Sequence, residues 1–512
     1  MDDGSQRKAG VILSYVNLII GCVVPLLYTP IMLRLMGQAE YGLYSLSNSV
    51  IGYLGLLNFG MGSVFIRYAA RYRAENKVDD IRRLTGMFVV IYSIFAVLVC
   101  IVGAVIVIYA DVFFQEGLSA EEVVRMRWLL IVMIANTAIS FPASIIVSIL
   151  TVYECFVFSK ALGVVATILT PCLNLVVLYF GGASLGITLA GAGLQCLMNL
   201  LYMWFVFRKL RIIPSFHNMP LNLIKEIIQF SAFVFLSSIV DMLYWATDKV
   251  LIGATLGTVA VAVYNVGGVF TSMMQNMAHA ISNVFTTRVT MLSVREDSEK
   301  VTSELLIRIG RLQFYVVSFI LSGYIVFGQI FLRLWAGEGY EEAYYVGLLT
   351  MIPLAVPLIQ NIAFTFCVAQ NKHRFRAIVY AVIAVINVVL TYLILPYYGI
   401  IGAAACTAGA FLLGNGIIMN VYYSKVMNMD IAGFWRTIGR VAVVPIVLSV
   451  ASHGIVNMAL PYTSWISMIV EVIVFTSLFW VMTWFISMNS YERGLFTGLF
   501  KKALGVFKKN KT

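Results

Sequence analysis

The sequence predicts an all-α, polytopic membrane protein of fourteen transmembrane helices, and three observations carry that prediction. Its 512 residues are 61% hydrophobic and only 12% charged, with a mean hydropathy of +0.91, whereas soluble domains hold about 25% charge and about 45–50% apolar residues. Arranged as two or three soluble domains, which this length would otherwise suggest, so much apolar surface would be left against water. The apolar residues also gather in runs of about 20, the length that crosses a bilayer core. Finally, Lys and Arg are unequally shared between alternate loops, the asymmetry that orients membrane helices.

In chain order the apolar runs lie near 10–33, 41–69, 85–110, 128–150, 161–180 and 185–207, then near 227–252, 259–285, 312–332, 345–368, 377–395, 401–423, 441–456 and 465–486. An even count puts both termini on one side. That side receives Arg7, Lys8, RYRAENKVDDIRR at 71–83, RKLR at 208–211, SVREDSEK at 293–300, NKHRFR at 371–376 and the basic tail. Of the 35 Lys and Arg, only Arg34, Arg125, Arg127, Lys249 and Arg333 fall on the other side or at its helix ends. The positive side is cytoplasmic, so the expectation is a multi-pass membrane protein with both termini inside.

The net charge of +11 and pI of 9.2 therefore report topology and contact with anionic lipid. No soluble basic domain is present to bind nucleic acid. Asp2 and Asp3 precede a first run too long for a signal-peptide core, so that run is expected to stay as a helix. The seven cysteines and the four histidines, His217, His279, His373 and His453, are dispersed without metal-ligand spacing. No HExxH, nucleophile elbow, Walker loop or kinase set occurs, and no loop much exceeds about 20 residues, which leaves little room to hold a sugar donor. A transporter is expected rather than an enzyme, with no cofactor and no metal. The tail places Leu495, Phe496, Leu499, Phe500, Leu504 and Phe507 on one helical stripe opposite lysines, a pattern that lies flat on the cytoplasmic leaflet.

The first twelve runs form two sets of six. LMGQAEYGLYS at 35–45 matches TLGTVAVAVYN at 255–265, pairing Gly37 with Gly257 and Tyr44 with Tyr264. LGITLAGAG at 185–193 matches IGAAACTAG at 401–409, continuing to Asn199 with Asn415 and Met203 with Met419. NLVVLY at 174–179 matches NVVLTY at 387–392, and Lys160-Ala161 falls opposite Arg376-Ala377. Six spans return the chain to its starting side, so the repeats share one orientation, as in transporters that rock one bundle against another around a mid-bilayer site. The expected organisation is a six-helix bundle at 1–207, a cytoplasmic linker at 208–226, a second bundle at 227–424, helices thirteen and fourteen at 425–490, and a basic amphipathic cytoplasmic tail at 491–512.

The segments LRLMGQAEYGLYSLSNSVIGYLGLLNFGM at 33–61, DMLYWATDKVLIGATLGTVAVAVYNVG at 241–267 and INVVLTYLILPYYGIIGAAACTAGA at 386–410 resemble polysaccharide exporters of the bacterial oligosaccharide flippase family. This family is related to the lipid II flippases and the multidrug and toxin extruders. The resemblance spans essentially the whole chain. It implies translocation of an undecaprenyl-pyrophosphate-linked oligosaccharide to the outer leaflet for capsule, lipopolysaccharide or other surface polysaccharide, with polysaccharide polymerase machinery as a further partner.

A charge at mid-helix costs roughly 2.5–3.5 kcal/mol on insertion scales, so such residues face a cavity or a partner. In the seventh run, Ser237, Asp241, Tyr244 and Asp248 recur at four, three and four residues, one helical stripe beside Lys249. At the repeat offset Ser237 corresponds to Asn17, Asp241 to Gly21 and Asp248 to Tyr28. The eighth run adds Ser272, Gln275, Asn276, His279 and Asn283 at helical spacing, a surface suited to sugar hydroxyls. The plainer reading of each such residue is hydrogen bonding between helices. Arg34, Arg67, Lys249 and Arg288 lie near the ends of runs one, two, seven and eight and are candidates for a pyrophosphate, Arg as a fork and Lys as a point charge. For Arg67 and Arg288, snorkelling at the cytoplasmic boundary is the competing reading. Asp241, with Asp248, is either the counter-ion of a cavity cation or a carboxylate that couples transport to H+ or Na+. Glu471 borders a lipid path or pairs two helices. The alternatives to a flippase are a cation-coupled multidrug exporter and, more distantly, a membrane glycosyl polymerase or ligase.

Overall fold

The computed structural model describes residues 3–293, 298–370, 372–459, 465–495 and 497–498, without some of the side chains inside these stretches. Among the described residues every regular element is a helix. We number them α1 (Asp3–Met36), α2 (Gln38–Ala74), α3 (Val78–Ile108), α4 (Ala120–Val152), α5 (Phe156–Tyr179), α6 (Ala183–Leu210), α7 in two pieces (Ile224–Trp245 and Thr247–Thr255) and α8 (Thr258–Leu292). There follow α9 (Ser298–Trp335), α10 in two pieces (Glu341–Ile359 and Asn361–Ala369), α11 (373–398), α12 (400–425), α13 (Ile431–Ala459) and α14 (Trp465–Ser487).

Among the described residues eleven helices are long and apolar enough to cross a membrane, and the longest, Arg374–Lys425, has 52 residues. It turns at Gly399, whose φ of 57° lies outside the helical region, so it supplies both α11 and α12. With α7 and α8 on the seventh and eighth apolar runs, the series is compatible with fourteen spans. The exterior is apolar as well. Exposed Ile94, Val97, Ile101, Val105 and Ile108 form one stripe along α3, a face that lipid covers and water would not tolerate. The chain is a multi-pass membrane protein.

Local chemistry sets the breaks. Ser119 and Glu122 form a capping box that starts α4, satisfying N–H groups a helix leaves open. Gly37 (φ 79°) and Gly257 (φ 86°) let the chain reverse between α1 and α2 and between α7 and α8. In α10, Pro357 has no N–H for the carbonyl of Pro353, and the helix breaks at Gln360. The break in α7, at Ala246 (φ −110°), departs from the sequence expectation. It interrupts the stripe Ser237–Asp241–Tyr244–Asp248, which was read on one continuous helix. The side chains of Ser237 and Asp241 lie outside the described residues, as do Phe496 and the tail from residue 499.

The chain up to Asn265, with Ala384–Ala403, makes one compact unit; Val266–Ile383 with the chain from Ala404 makes a second. In the first, α1 packs on α5, α3 on α4, and α4 and α5 on α6. Its core buries Leu43, Leu46, Phe65, Leu84, Phe88 and Tyr92, and the Tyr92 hydroxyl donates to Asn58 at 2.7 Å. In the second, α9 is central and carries α10, α13 and α14 on its flanks.

The internal repeat has a counterpart in geometry. Phe158 stacks on Phe205 with ring centroids 4.0 Å apart and planes at 15°; Phe375 stacks on Tyr422 at 4.4 Å and 12°. Both members of the second pair lie about 217 residues beyond those of the first, so each unit clasps equivalent helices, α5 to α6 and α11 to α12, with the same aromatic pair. Ala183 (φ 44°) and Gly399 (φ 57°) likewise occupy matched turns, and the matched asparagines Asn174 with Asn387 and Asn199 with Asn415 are all buried.

Candidate functional site

Within the first unit, the segment from Ala246 to Asn265, which carries Asp248 and Lys249, is held against α2 and α4 by a polar seam. The seam is possible because its helices approach at glycines. A Cβ on Gly42 would stand 1.8 Å from the Thr258 carbonyl oxygen, and one on Gly117 would stand 2.2 Å from that of Gly253. Asp248 is fully buried, and its carboxylate accepts from the Tyr264 hydroxyl at 2.6 Å. Lys249 Nζ turns to another partner, donating to Asn265 Oδ1 at 2.5 Å, while Asn265 Nδ2 donates to the Tyr41 hydroxyl at 2.6 Å. Tyr53 and Thr247 share a hydrogen bond of 2.5 Å.

Acidic groups on α2 and α4 complete the arrangement. Glu122 caps α4 through Ser119 and, with its other oxygen, accepts from the Thr258 hydroxyl at 2.7 Å. One carboxylate thus caps one helix and tethers another. Glu40 accepts from the Ser184 amide at 3.1 Å, from the Ser184 hydroxyl, and from Arg125 at 3.2 Å, joining α2, α4 and α6. Bonds to charged groups contribute about 1.5–3 kcal/mol each and neutral ones about 0.5–1.5 kcal/mol, so the seam is strong enough to hold a conformation and weak enough to exchange partners.

The structure thus places Asp248 on Tyr264, and Lys249 on Asn265 and through it on Tyr41, three partners the sequence does not assign to a site. Tyr264 had drawn notice only as the repeat match of Tyr44. Asn17 instead accepts from Thr167 at 3.1 Å, and Tyr28 accepts from Asn174 at 3.1 Å, so the polar groups of α1 join it to α5. Arg34 and Arg67 are exposed on α1 and α2. In the second unit, Ser272, Asn276, Asn283 and Arg288 are exposed along α8, Gln275 is half-buried, and His279 faces Asn361 with 3.3 Å between their nitrogens. That contact reaches the break in α10. Next to it Gln360 donates to Asn420 at 2.7 Å, and Asn420 also accepts from the Trp435 indole at 2.8 Å. Among the described residues no three His, Cys, Asp or Glu side chains are grouped to hold a metal ion.

Broken, apolar helices with a buried carboxylate beside one of the breaks make this a polytopic membrane protein. The chain belongs to the polysaccharide biosynthesis protein family, whose signature matches residues 8–290. Among solved structures it is similar to the lipid II flippase MurJ in an inward closed conformation, at a TM-score of 0.69 and 13% identity, over 93% of this chain and 97% of that one. It is similar to an inward-facing multidrug resistance MATE transporter of the MOP superfamily at 0.60 and 14%, over 82% and 99%. A MOP superfamily transporter from Pyrococcus furiosus matches at 0.54 and 15%, over 84% and 96%. Among curated proteins no sequence matches the chain.

Proposed function

We propose that this transporter flips an undecaprenyl-pyrophosphate-linked oligosaccharide from the cytoplasmic to the outer leaflet of the bacterial inner membrane, supplying the polymerase machinery that builds a surface polysaccharide. Membership in the polysaccharide biosynthesis family carries the reading. The fold similarity to MurJ over 93% of the chain supports it. Both termini are assigned to the cytoplasm from the excess of Lys and Arg in one set of loops.

In this reading the repeats rock about a mid-bilayer site, and the seam at Tyr41, Asp248, Lys249, Thr258 and Asn265 opens and closes in each cycle. Arg34, Arg67, Lys249 and Arg288 offer cations to the pyrophosphate. Asn17, Ser237, Gln275, Asn276 and His279 offer hydrogen bonds to the glycan. Asp241 and Asp248 are the counter-ions or the H+ or Na+ coupling groups, and Asp241→Asn separates these roles: loss of gradient dependence with substrate binding intact marks coupling, and unchanged dependence rules it out. The decisive experiment disrupts the gene and measures polyprenyl-linked glycans by mass spectrometry. Their accumulation, reversed by the intact gene, is expected; normal glycan pools with normal surface polysaccharide would refute the proposal. Similarity to a multidrug transporter over 82% of the chain favours drug export as the second reading, for which the disrupted strain would instead retain more of a cationic dye.

A further inference from the structure

The joined ends of α11 and α12 in the second unit carry an unusual concentration of one sign of charge. From Ala343 to Met429 the sequence holds Lys372, Arg374, Arg376 and Lys425 but no Asp or Glu. The first turn of α11 has no acidic residue and no side-chain cap, so its partial positive charge adds to that of the cations. Glu299 on α9 and Asp430 just before α13 have partners of their own. Glu299 accepts from Asn428 at 3.3 Å, and Asp430 accepts from the Gly433 amide at 2.8 Å.

Arg376 is fixed within this field. Its guanidinium carbon lies over the Phe364 ring, 3.6 Å from the centroid, and over the Tyr380 ring at 4.5 Å. Tyr380 is itself held by a hydrogen bond to Asn415. The backbone on either side is pinned: the Phe375 ring stacks on Tyr422, whose hydroxyl donates to the Lys372 carbonyl at 3.1 Å. Two aromatic rings satisfy the faces of a guanidinium but leave its N–H donors unused. The Nε of Arg376 is buried without a hydrogen-bond partner. Arg127 and Arg311, by contrast, donate to Asp111 and Glu492. A buried donor left open is costly, and a fork locked in place matches the oxygens of a phosphate.

We propose that Arg376, clamped by Phe364 and Tyr380 at the helix ends that also carry Lys372, Arg374 and Lys425, is a binding site for the phosphate group of a membrane lipid. The site is independent of the cations assigned above to the transported headgroup and does not require the flippase reading. The phosphate comes either from bulk anionic phospholipid or from a polyprenyl pyrophosphate.

Native mass spectrometry of the purified full-length protein tests it, with phosphatidylglycerol, undecaprenyl pyrophosphate and uncharged undecaprenol as probes. Arg376→Gln is expected to weaken binding of a phosphate lipid at least tenfold, Arg376→Lys to restore part of it, and Phe364→Leu to weaken it by loosening the clamp. Undecaprenol binding should not change. A larger loss for undecaprenyl pyrophosphate assigns the site to a polyprenyl lipid, and a larger loss for phosphatidylglycerol assigns it to bulk lipid. Unchanged binding of both phosphate lipids in Arg376→Gln and Arg376→Lys would overturn the proposal. So would equal losses for the two phosphate lipids and undecaprenol.

Discussion

Gly42→Ala tests the seam most directly. The new Cβ would sit 1.8 Å from the Thr258 carbonyl oxygen and 2.5 Å from its carbon. Both are backbone atoms, so no side chain can turn aside, and α2 must move from α8 by roughly 1.5 Å to reach ordinary contact. That movement stretches the Glu122–Thr258 and Tyr41–Asn265 hydrogen bonds, now 2.7 and 2.6 Å, beyond useful length. Losing one bond to a charged group and one neutral bond removes about 2–4 kcal/mol, a shift of about 30- to 1000-fold toward the open seam at about 1.4 kcal/mol per tenfold. Hydrogen exchange at the first turn of α8 reads this as faster exchange by that factor. Gly55→Ala, on the same helix but with nothing within 4 Å of its Cβ, is the matched control and should leave exchange unchanged. Equal exchange in the two variants would refute the close approach and, with it, the seam.

The remaining predictions use the same logic. Thr258→Val removes the hydroxyl bonded to Glu122 and should accelerate exchange in α8, whereas Ser119→Ala removes the cap and should lower the melting temperature by about 1 kcal/mol equivalent with less effect on α8. Arg311 donates to both oxygens of Glu492, at 2.5 and 2.8 Å, and Glu492 is 1% exposed. Arg311→Ala should therefore cost about 3–5 kcal/mol by stranding the carboxylate, and pairing Arg311→Met with Glu492→Leu should recover most of it, as read by thermal unfolding in detergent. Trp435→Phe removes the indole donor to Asn420 and should lower stability by about 1 kcal/mol in the same assay.

Helices that face lipid on one side and protein on the other declare themselves by composition, so the apolar runs, and the pairing of Gly37 with Gly257 between them, are legible in the sequence. The break at Ala246 is not, because neither Pro nor Gly marks it and tertiary contacts to Tyr53 and Tyr264 hold it in place. The same limit governs the site. Asp248 and Lys249 stood out because charge inside an apolar run is costly, but their network reaches Tyr41, more than two hundred residues away, and only packing reveals that. Asn17 and Tyr28 add a second case, since their bonds to Thr167 and Asn174 on α5 arise from packing and leave no mark in the sequence. Arg376 was visible in sequence only as the counterpart of Lys160, since aromatic clamping leaves no mark in spacing.

The matched stacks of Phe158 on Phe205 and Phe375 on Tyr422 carry an implication about ancestry. A clasp of this kind, kept in both halves while the sequence around it has drifted, points to an ancestral chain of six helices that was copied and fused. The two copies now differ at matched positions, one carrying Lys160 where the other carries Arg376.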